Sequence, residues 1–260
     1  MDAAAHVMND KCLQRNRSQQ CPYMLGDFSA RTINHHYFWH DEPRNRDMPT
    51  PREINIDRIH HVYNDTKIMV VVRNPIERLF SDYKFYAESH ANIVTADDFH
   101  ERVVQAIEVW NNCTRVLRLP ENRCAYGTYF PPELRRHLFW HSYSADRLRL
   151  GIYSIYILNC YKVFPRSHMH VIQLEEFSRD PLTYTEKHLL PFLGLQPFDS
   201  ETREQIATEL QLNKVAKNRN PRFGDLNMHE KTRQLLNDFY APYNKQLAEL
   251  LNDKKFLWHD

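Results

Sequence analysis

From Lys67 to Tyr86 the chain reads KIMVVVRNPIERLFSDYKFY, and few folds accommodate that order of residues. Five apolar residues, Ile68 to Val72, include three consecutive β-branched valines and show no polar alternation. That pattern predicts a strand covered on both faces, as in a parallel sheet flanked by helices. Asn74 is a good helix N-cap and Pro75 a good first helical residue, after which Ile76, Leu79, Phe80 and Tyr83 recur at three- and four-residue spacing. The segment is therefore strand, tight turn, helix. In open α/β sheets, ligands bind beyond the carboxyl ends of the strands, where the following helices aim free N–H groups outward. Arg73 stands at that place, and its guanidinium can fork around a phosphate with two charge-assisted hydrogen bonds. Ser81, two helical turns on, can add a hydroxyl if its face borders the same cleft. An ordinary surface salt bridge for Arg73 and a solvated hydroxyl for Ser81 are the plainer alternatives.

The remainder alternates in the same way. Residues 53–64 carry Ile56, Ile59, His60 and Tyr63 at helical spacing, and Ala96 to Trp110 places Phe99, Val103, Ile107 and Trp110 on one stripe. Residues 111–147 are polar, aromatic and Pro-containing, and read as a long functional excursion. A helix then runs through Phe164 and stops at Pro165, MHVIQLEEF reads as a second buried strand, and a helix follows from Pro181 to Phe192. The carboxyl-terminal stretch MHEKTRQLLNDFYAPYNKQLAELL is amphipathic and expected to break near Pro242. Strands alternating with helices predict an α/β fold, and no linker or repeat divides residues 1–260, so a single domain is expected.

Charge and cysteine usage narrow the setting. The 260 residues carry a formal net charge of +1, so no overall field favours nucleic acid or a membrane surface, and any anion site must come from local clustering. No apolar leader and no run of eighteen apolar residues occurs, which read literally means a cytosolic chain. Against that, Cys12 with Cys21 and Cys113 with Cys124 form two close pairs in polar sequence, a spacing that suits two local disulfides and leaves Cys160 over. Sequons at Asn16, Asn64 and Asn112 also permit a secretory route. No C-x-x-C is present, and no metal site is expected.

VVRNPIERLFSDY resembles the 3′-phosphate-binding motif of the sulfotransferases that use 3′-phosphoadenosine 5′-phosphosulfate (PAPS), in which strand, Arg-(Asp/Asn)-Pro, Arg and Ser recur in this order. Three further segments are similar to the carbohydrate branch of that family found in the Golgi: GIYSIYILNCYKVFP, VIQLEEFSRDPLTYTEKHLLPFLGL, and FYAPYNKQLAELL with its closing FLW. With the upstream GDFSARTINHHYFW, the pattern looks closest to the N-acetylgalactosamine 4-sulfate 6-O-sulfotransferases and related glycosaminoglycan enzymes. The resemblance implies a P-loop-NTPase-like sulfotransferase fold and sulfuryl transfer from PAPS, without metal, to a hydroxyl of a chondroitin- or dermatan-type sugar in the Golgi lumen. It implies that Arg73 and Ser81 hold the 3′-phosphate. It also places KVAKNRNPR where related enzymes carry a nucleotide-covering loop, which would bring Lys214, Lys217 and Arg219 to the nucleotide; a solvated basic loop is the alternative.

Departures from the family pattern set further expectations. No Pro-Lys-x-Gly-Thr-Thr-like stretch follows an apolar strand before Lys67, so the chain is expected to begin just after the 5′-phosphosulfate loop and to lack the first strand of the fold. Inactivity as an incomplete fragment stays open, and the resemblance implies a membrane anchor in the full-length protein rather than in this chain. His35 and His36, aromatic-flanked and early in the chain, are the candidates for the base that takes the acceptor's proton, with a structural role open. Between Cys113 and Arg149 stand Arg115, Arg118, Arg123, Arg135, Arg136, Arg147 and Arg149 against Glu121, Glu133 and Asp146, with no lysine. That arginine set is the candidate groove for a sulfated polymer, a scattered solvated surface being the alternative. A non-catalytic module binding nucleotide or glycosaminoglycan stays open. A cytosolic sulfotransferase of small phenols lacks its Arg-Lys-Gly loop here, and a phosphate-loop kinase lacks GxxxxGK[ST].

Overall fold

The computed structural model describes residues 26–27, 32–34, 39, 42–90, 94–126, 145–217 and 226–258, with backbone alone at 86–90 and 213–217. The chain divides into two compact units, Met1–Thr32 and Ile33–Asp260, and every element below belongs to the second.

Asn45, fully buried, shapes the approach to the first helix. Its Oδ1 accepts the N–H groups of Arg52 (2.8 Å) and Glu53 (2.7 Å) while its Nδ2 donates to the Glu53 carbonyl (2.7 Å). The Ile54 N–H donates to Asp57 Oδ2 at 2.9 Å, and α1 runs Asn55–Val62. Strand β1 (Ile68–Val72) then pairs in parallel with β2 (Met169–Gln173), Ile68 opposite Met169 and Val72 opposite Gln173. These two strands form the sheet among the described residues.

Parallel pairing needs a long crossover, and the described parts of this one are largely helical. Helix α2 is Pro75–His90 and α3 is Ala96–Asn111, capped by Thr95, whose side chain accepts the Asp98 N–H at 3.1 Å. A π turn (Asn112–Val116) extends α3, α4 is Glu121–Tyr126, and α5 is Tyr153–Val163. After β2 come α6 (Ser200–Lys217) and α7 (Glu230–Leu251). On α3, Phe99, Val103, Ala106 and Trp110 face the core; on α7, Leu236, Tyr240, Tyr243 and Leu247 do, both at helical spacing. They join Val70, Val72, Ile76, Leu79 and Phe80 in one apolar cluster, so the core lies on the Val70–Val72 face of β1.

Five expectations need correcting. Two-sided cover of β1 fails, because Met69 and Val71 are 39% and 58% exposed while Val70 and Val72 are buried. Helix α7 is continuous through Pro242, whose ring lies on the exposed side where water can take the carbonyl left without a partner; buried Tyr240 and Tyr243 hold the helix on either side. The 111–147 excursion is partly regular, since residues 112–116 and 121–126 are helical, while 127–144 lie outside the described residues. Strand β2 ends at Gln173, before Leu174–Phe177 turns helical. The helix expected over 181–192 is Pro181–Tyr184, a π turn Thr185–Leu189, and Leu190–Leu193, Pro191 having no N–H to return to Lys187.

Candidate functional site

Arg73 is the first residue past β1. Asn74 follows, its Oδ1 accepting the Ile76 N–H at 3.0 Å, and Pro75 opens α2, so the cap read from the sequence forms. Tyr153, at the start of α5, donates its hydroxyl to the Arg73 carbonyl at 2.9 Å. Glu175, just past β2, accepts the Asn74 N–H at 2.7 Å through Oε1, and its Oε2 faces Trp258 Nε1 at 3.5 Å. Three segments remote in sequence thus meet at the carboxyl end of the sheet. Arg73 as a residue is half-buried, and no described residue pairs with its guanidinium.

Below the turn, Arg78 occupies a tight polar pocket. It donates to the Arg147 carbonyl at 2.5 Å and lies 3.5 Å from Asp82, and its Nε is buried without a hydrogen-bond partner among the described residues. Burial works against its charge, but Tyr153, Tyr240 and Asp82 outweigh that and raise its pKa. Burial likewise raises the Tyr153 hydroxyl, although Arg78 and Arg73 pull the other way. Ser81 is exposed on α2. It stands seven residues past the cap, about 10 Å along the axis, so only a side chain as long as arginine's can share a phosphate with it.

The other candidate residues separate. Arg149 is 4% exposed and bound to the Cys124 carbonyl (3.0 Å) and to Asp146, which takes it out of a surface groove. Arg147 pairs with Asp82 at 3.4 Å and is 13% exposed, and Arg123 lies 5.7 Å from the Trp39 ring centroid with a buried Nε. Arg115 and Arg118 are exposed, beside exposed Val116 and Leu117. Arg135, Arg136, His35, His36, Arg219, Cys12 and Cys21 lie outside the described residues, and Lys214 and Lys217 are placed by backbone alone, in the last turn of α6 rather than in a loop. Cys113 and Cys124 are disulfide-bonded, and Cys160 is free and buried. Tyr153 and Glu175 were missed as supports of Arg73, although GIY and LEEF stand inside motifs the sequence had singled out.

A cleft of about 980 Å³ opens over the outer face of α1. Its charges are largely spent on one another: Arg44 and Arg58 pair with Glu53 at 3.1 and 3.4 Å, Arg58 also with Glu42 at 2.8 Å, and Asp57 caps Ile54. Among the described residues no helix is long and apolar enough to cross a membrane.

The sequence matches the sulfotransferase domain over residues 6–240. It is 30% identical over 261 aligned residues to carbohydrate sulfotransferase 15 of Rattus norvegicus and 28% over 260 to that of Homo sapiens, each covering 99% of this chain and 43% of the relative. A protein of the same name from Nototodarus sloanii is 26% identical over 163 residues, 63% of this chain and 92% of that one. The chain thus spans less than half the length of the mammalian relatives it matches. Among solved structures, a sulfotransferase from Alicyclobacillus acidocaldarius has a TM-score of 0.48 and 21% identity, covering 76% of this chain and 60% of that one. With four motifs in family order and a domain match across most of the sequence, this chain belongs to the sulfotransferase domain family.

Proposed function

We propose that this chain is a single sulfotransferase domain of a Golgi-lumen enzyme that moves the sulfuryl group of PAPS to a hydroxyl of a chondroitin- or dermatan-type glycosaminoglycan sugar. In that transfer the acceptor oxygen bonds to sulfur as the bond to the donor's phosphate oxygen breaks. The acceptor's proton goes to a base, for which His35 and His36 are the candidates, and adenosine 3′,5′-bisphosphate leaves. Arg73 and Ser81 hold the 3′-phosphate, and Lys214, Lys217 and Arg219 flank the nucleotide. The observation that carries the reading is the Arg73 guanidinium at the carboxyl end of β1, unpaired among the described residues, above a turn that leads directly into α2. A phosphate supplies the two acceptor oxygens that a guanidinium fork matches. The names of the relatives support a carbohydrate acceptor, and the Cys113–Cys124 disulfide supports an oxidising compartment.

Calorimetry with adenosine 3′,5′-bisphosphate tests the nucleotide half. Arg73→Ala should cost about 2–4 kcal/mol of binding and Ser81→Ala about 1 kcal/mol, a charged bidentate contact against a single hydroxyl. Equal affinity in wild type and Arg73→Ala would remove Arg73 from the site. Transfer of labelled sulfate to chondroitin sulfate, abolished by the same substitution, would mark an enzyme whose 5′-phosphosulfate loop is present or dispensable. Nucleotide binding without any transfer would reduce the chain to a binding module.

A further inference from the structure

Arg73 and Asn74 share one peptide group, and both poles of that group are taken. Its carbonyl oxygen accepts from the Tyr153 hydroxyl at 2.9 Å, and its N–H donates to Glu175 Oε1 at 2.7 Å. We propose that Tyr153 and Glu175 are positioning residues for the nucleotide site, clamping the Arg73–Asn74 peptide so that the guanidinium is presented to the 3′-phosphate in one orientation. The inference rests on the reading that Arg73 holds that phosphate.

A peptide group is a rigid plane whose orientation depends only on the soft dihedrals flanking it, here ψ of Arg73 and φ of Asn74. One hydrogen bond leaves the plane free to rock about the bonded atom, whereas two at opposite poles remove that freedom. The direction in which the Arg73 side chain leaves the backbone is then set by two partners, 80 and 101 residues away in sequence.

The partners are themselves anchored. Tyr153 is 8% exposed at the start of α5, where Gly151 packs against Pro75 and Tyr240. Glu175 lies two residues past β2, in the helical turn Leu174–Phe177, and β2 is in register with β1 as far as Gln173 opposite Val72. Nor is the arrangement ordinary capping. A helix N-terminus normally offers its free N–H groups to an anion, but here the Asn74 N–H is already given to a carboxylate. A bound phosphate cannot use it, and the Ile76 N–H is likewise taken by Asn74 Oδ1, so the contact leans more heavily on the aim of Arg73.

The clamp predicts a loss specific to the 3′-phosphate. The test is calorimetric titration of the full chain with adenosine 3′,5′-bisphosphate and with adenosine 5′-monophosphate, reading the ratio of the two affinities so that any loss of folded protein cancels. Tyr153→Phe and Glu175→Ala should each lower that ratio about fivefold, the effect of one net hydrogen bond. Glu175→Gln keeps an oxygen for the Asn74 N–H and should hold the ratio within about twofold of wild type. If Arg73→Ala lowers the ratio while Tyr153→Phe and Glu175→Ala leave it unchanged, the clamp is overturned and the phosphate site stands. A ratio that falls in Glu175→Gln as far as in Glu175→Ala would overturn it as well, since charge rather than the hydrogen bond would then be acting. If Arg73→Ala itself has no effect, the 3′-phosphate reading fails and the clamp fails with it.

Discussion

Gly151 lies so close to Tyr240 that a Cβ built on it would sit 2.8 Å from both Cε1 and the hydroxyl oxygen of that ring, and 2.9 Å from the Pro75 Cβ. The ring has little room to retreat, because Tyr240 is fully buried and its hydroxyl donates to the Leu148 carbonyl at 2.7 Å. Space rather than backbone conformation therefore requires glycine here. Gly151→Ala should cost about 1–3 kcal/mol, the usual penalty of overpacking a filled core. Urea denaturation measures it, and an unchanged midpoint would show that the ring or α2 can move aside.

The Cys113–Cys124 bond, which joins residues 11 apart in sequence, ties the π turn after α3 to α4. Replacing both cysteines by serine should cost about 3 kcal/mol through the loop-closure term, with a matching fall in melting temperature. Non-reducing peptide mapping should recover 113 and 124 as one linked species. Burial pushes the Cys160 thiol up to about 12, so it should resist alkylation at pH 8 until denaturant is added.

A mild acid weakness is expected around His170. Its imidazole lies 3.3 Å from the Tyr184 hydroxyl and stacks near His188, and burial, then His188 and Lys255, lower its pKa, with Glu176 acting in opposition. The folded chain therefore takes up this proton less readily than the unfolded one. The stability contribution is fully present above the ordinary histidine value of about 6.5 and is lost as pH falls below it. Urea midpoints should be lower at pH 5.5 than at pH 7.5, and His170→Gln should reduce the slope. His100, also lowered chiefly by burial, should retain part of it.

Arginines that looked alike in sequence should behave differently. Arg149→Ala removes a buried guanidinium from Asp146 and the Cys124 carbonyl and should cost about 3 kcal/mol of stability. Arg115→Ala with Arg118→Ala should leave stability nearly unchanged but shift elution from immobilised chondroitin sulfate to lower salt and flatten the salt dependence, because two exposed cations no longer displace counterions. Unchanged elution of that double variant would move the polymer contact away from this turn.

The β1–turn–α2 unit was legible because its information is local: Asn74 and Pro75 punctuate the turn, and Ile76, Leu79 and Phe80 mark the buried face. The Cys113–Cys124 pairing was legible for the same reason. Pro242 misled because the rule against proline in helices weighs one lost hydrogen bond, whereas the packing of Tyr240, Tyr243 and Leu247 acts over the whole helix. Burial of Arg149 could not be read from composition, although Asp146 three residues earlier was a helical-spacing hint that the arginine was already committed. Tyr153 and Glu175 reach the turn only through the fold, and no local pattern carries that information.

The pairing of β1 with β2 also sets an order of events during synthesis. Val72 finds its partner in Gln173, about one hundred residues later, so at roughly 5–20 residues per second β1 leaves the ribosome roughly 5–20 s before the strand it needs. For that interval its valines and both ladder edges are open to wrong partners. Cys113 and Cys124 emerge within the same interval, ahead of β2, so an oxidising compartment can join α3 to α4 while the sheet is still a single strand. The crossover helices are then tethered before the pairing they flank exists, and the nascent chain closes its sheet around a partly stapled crossover rather than around a free one.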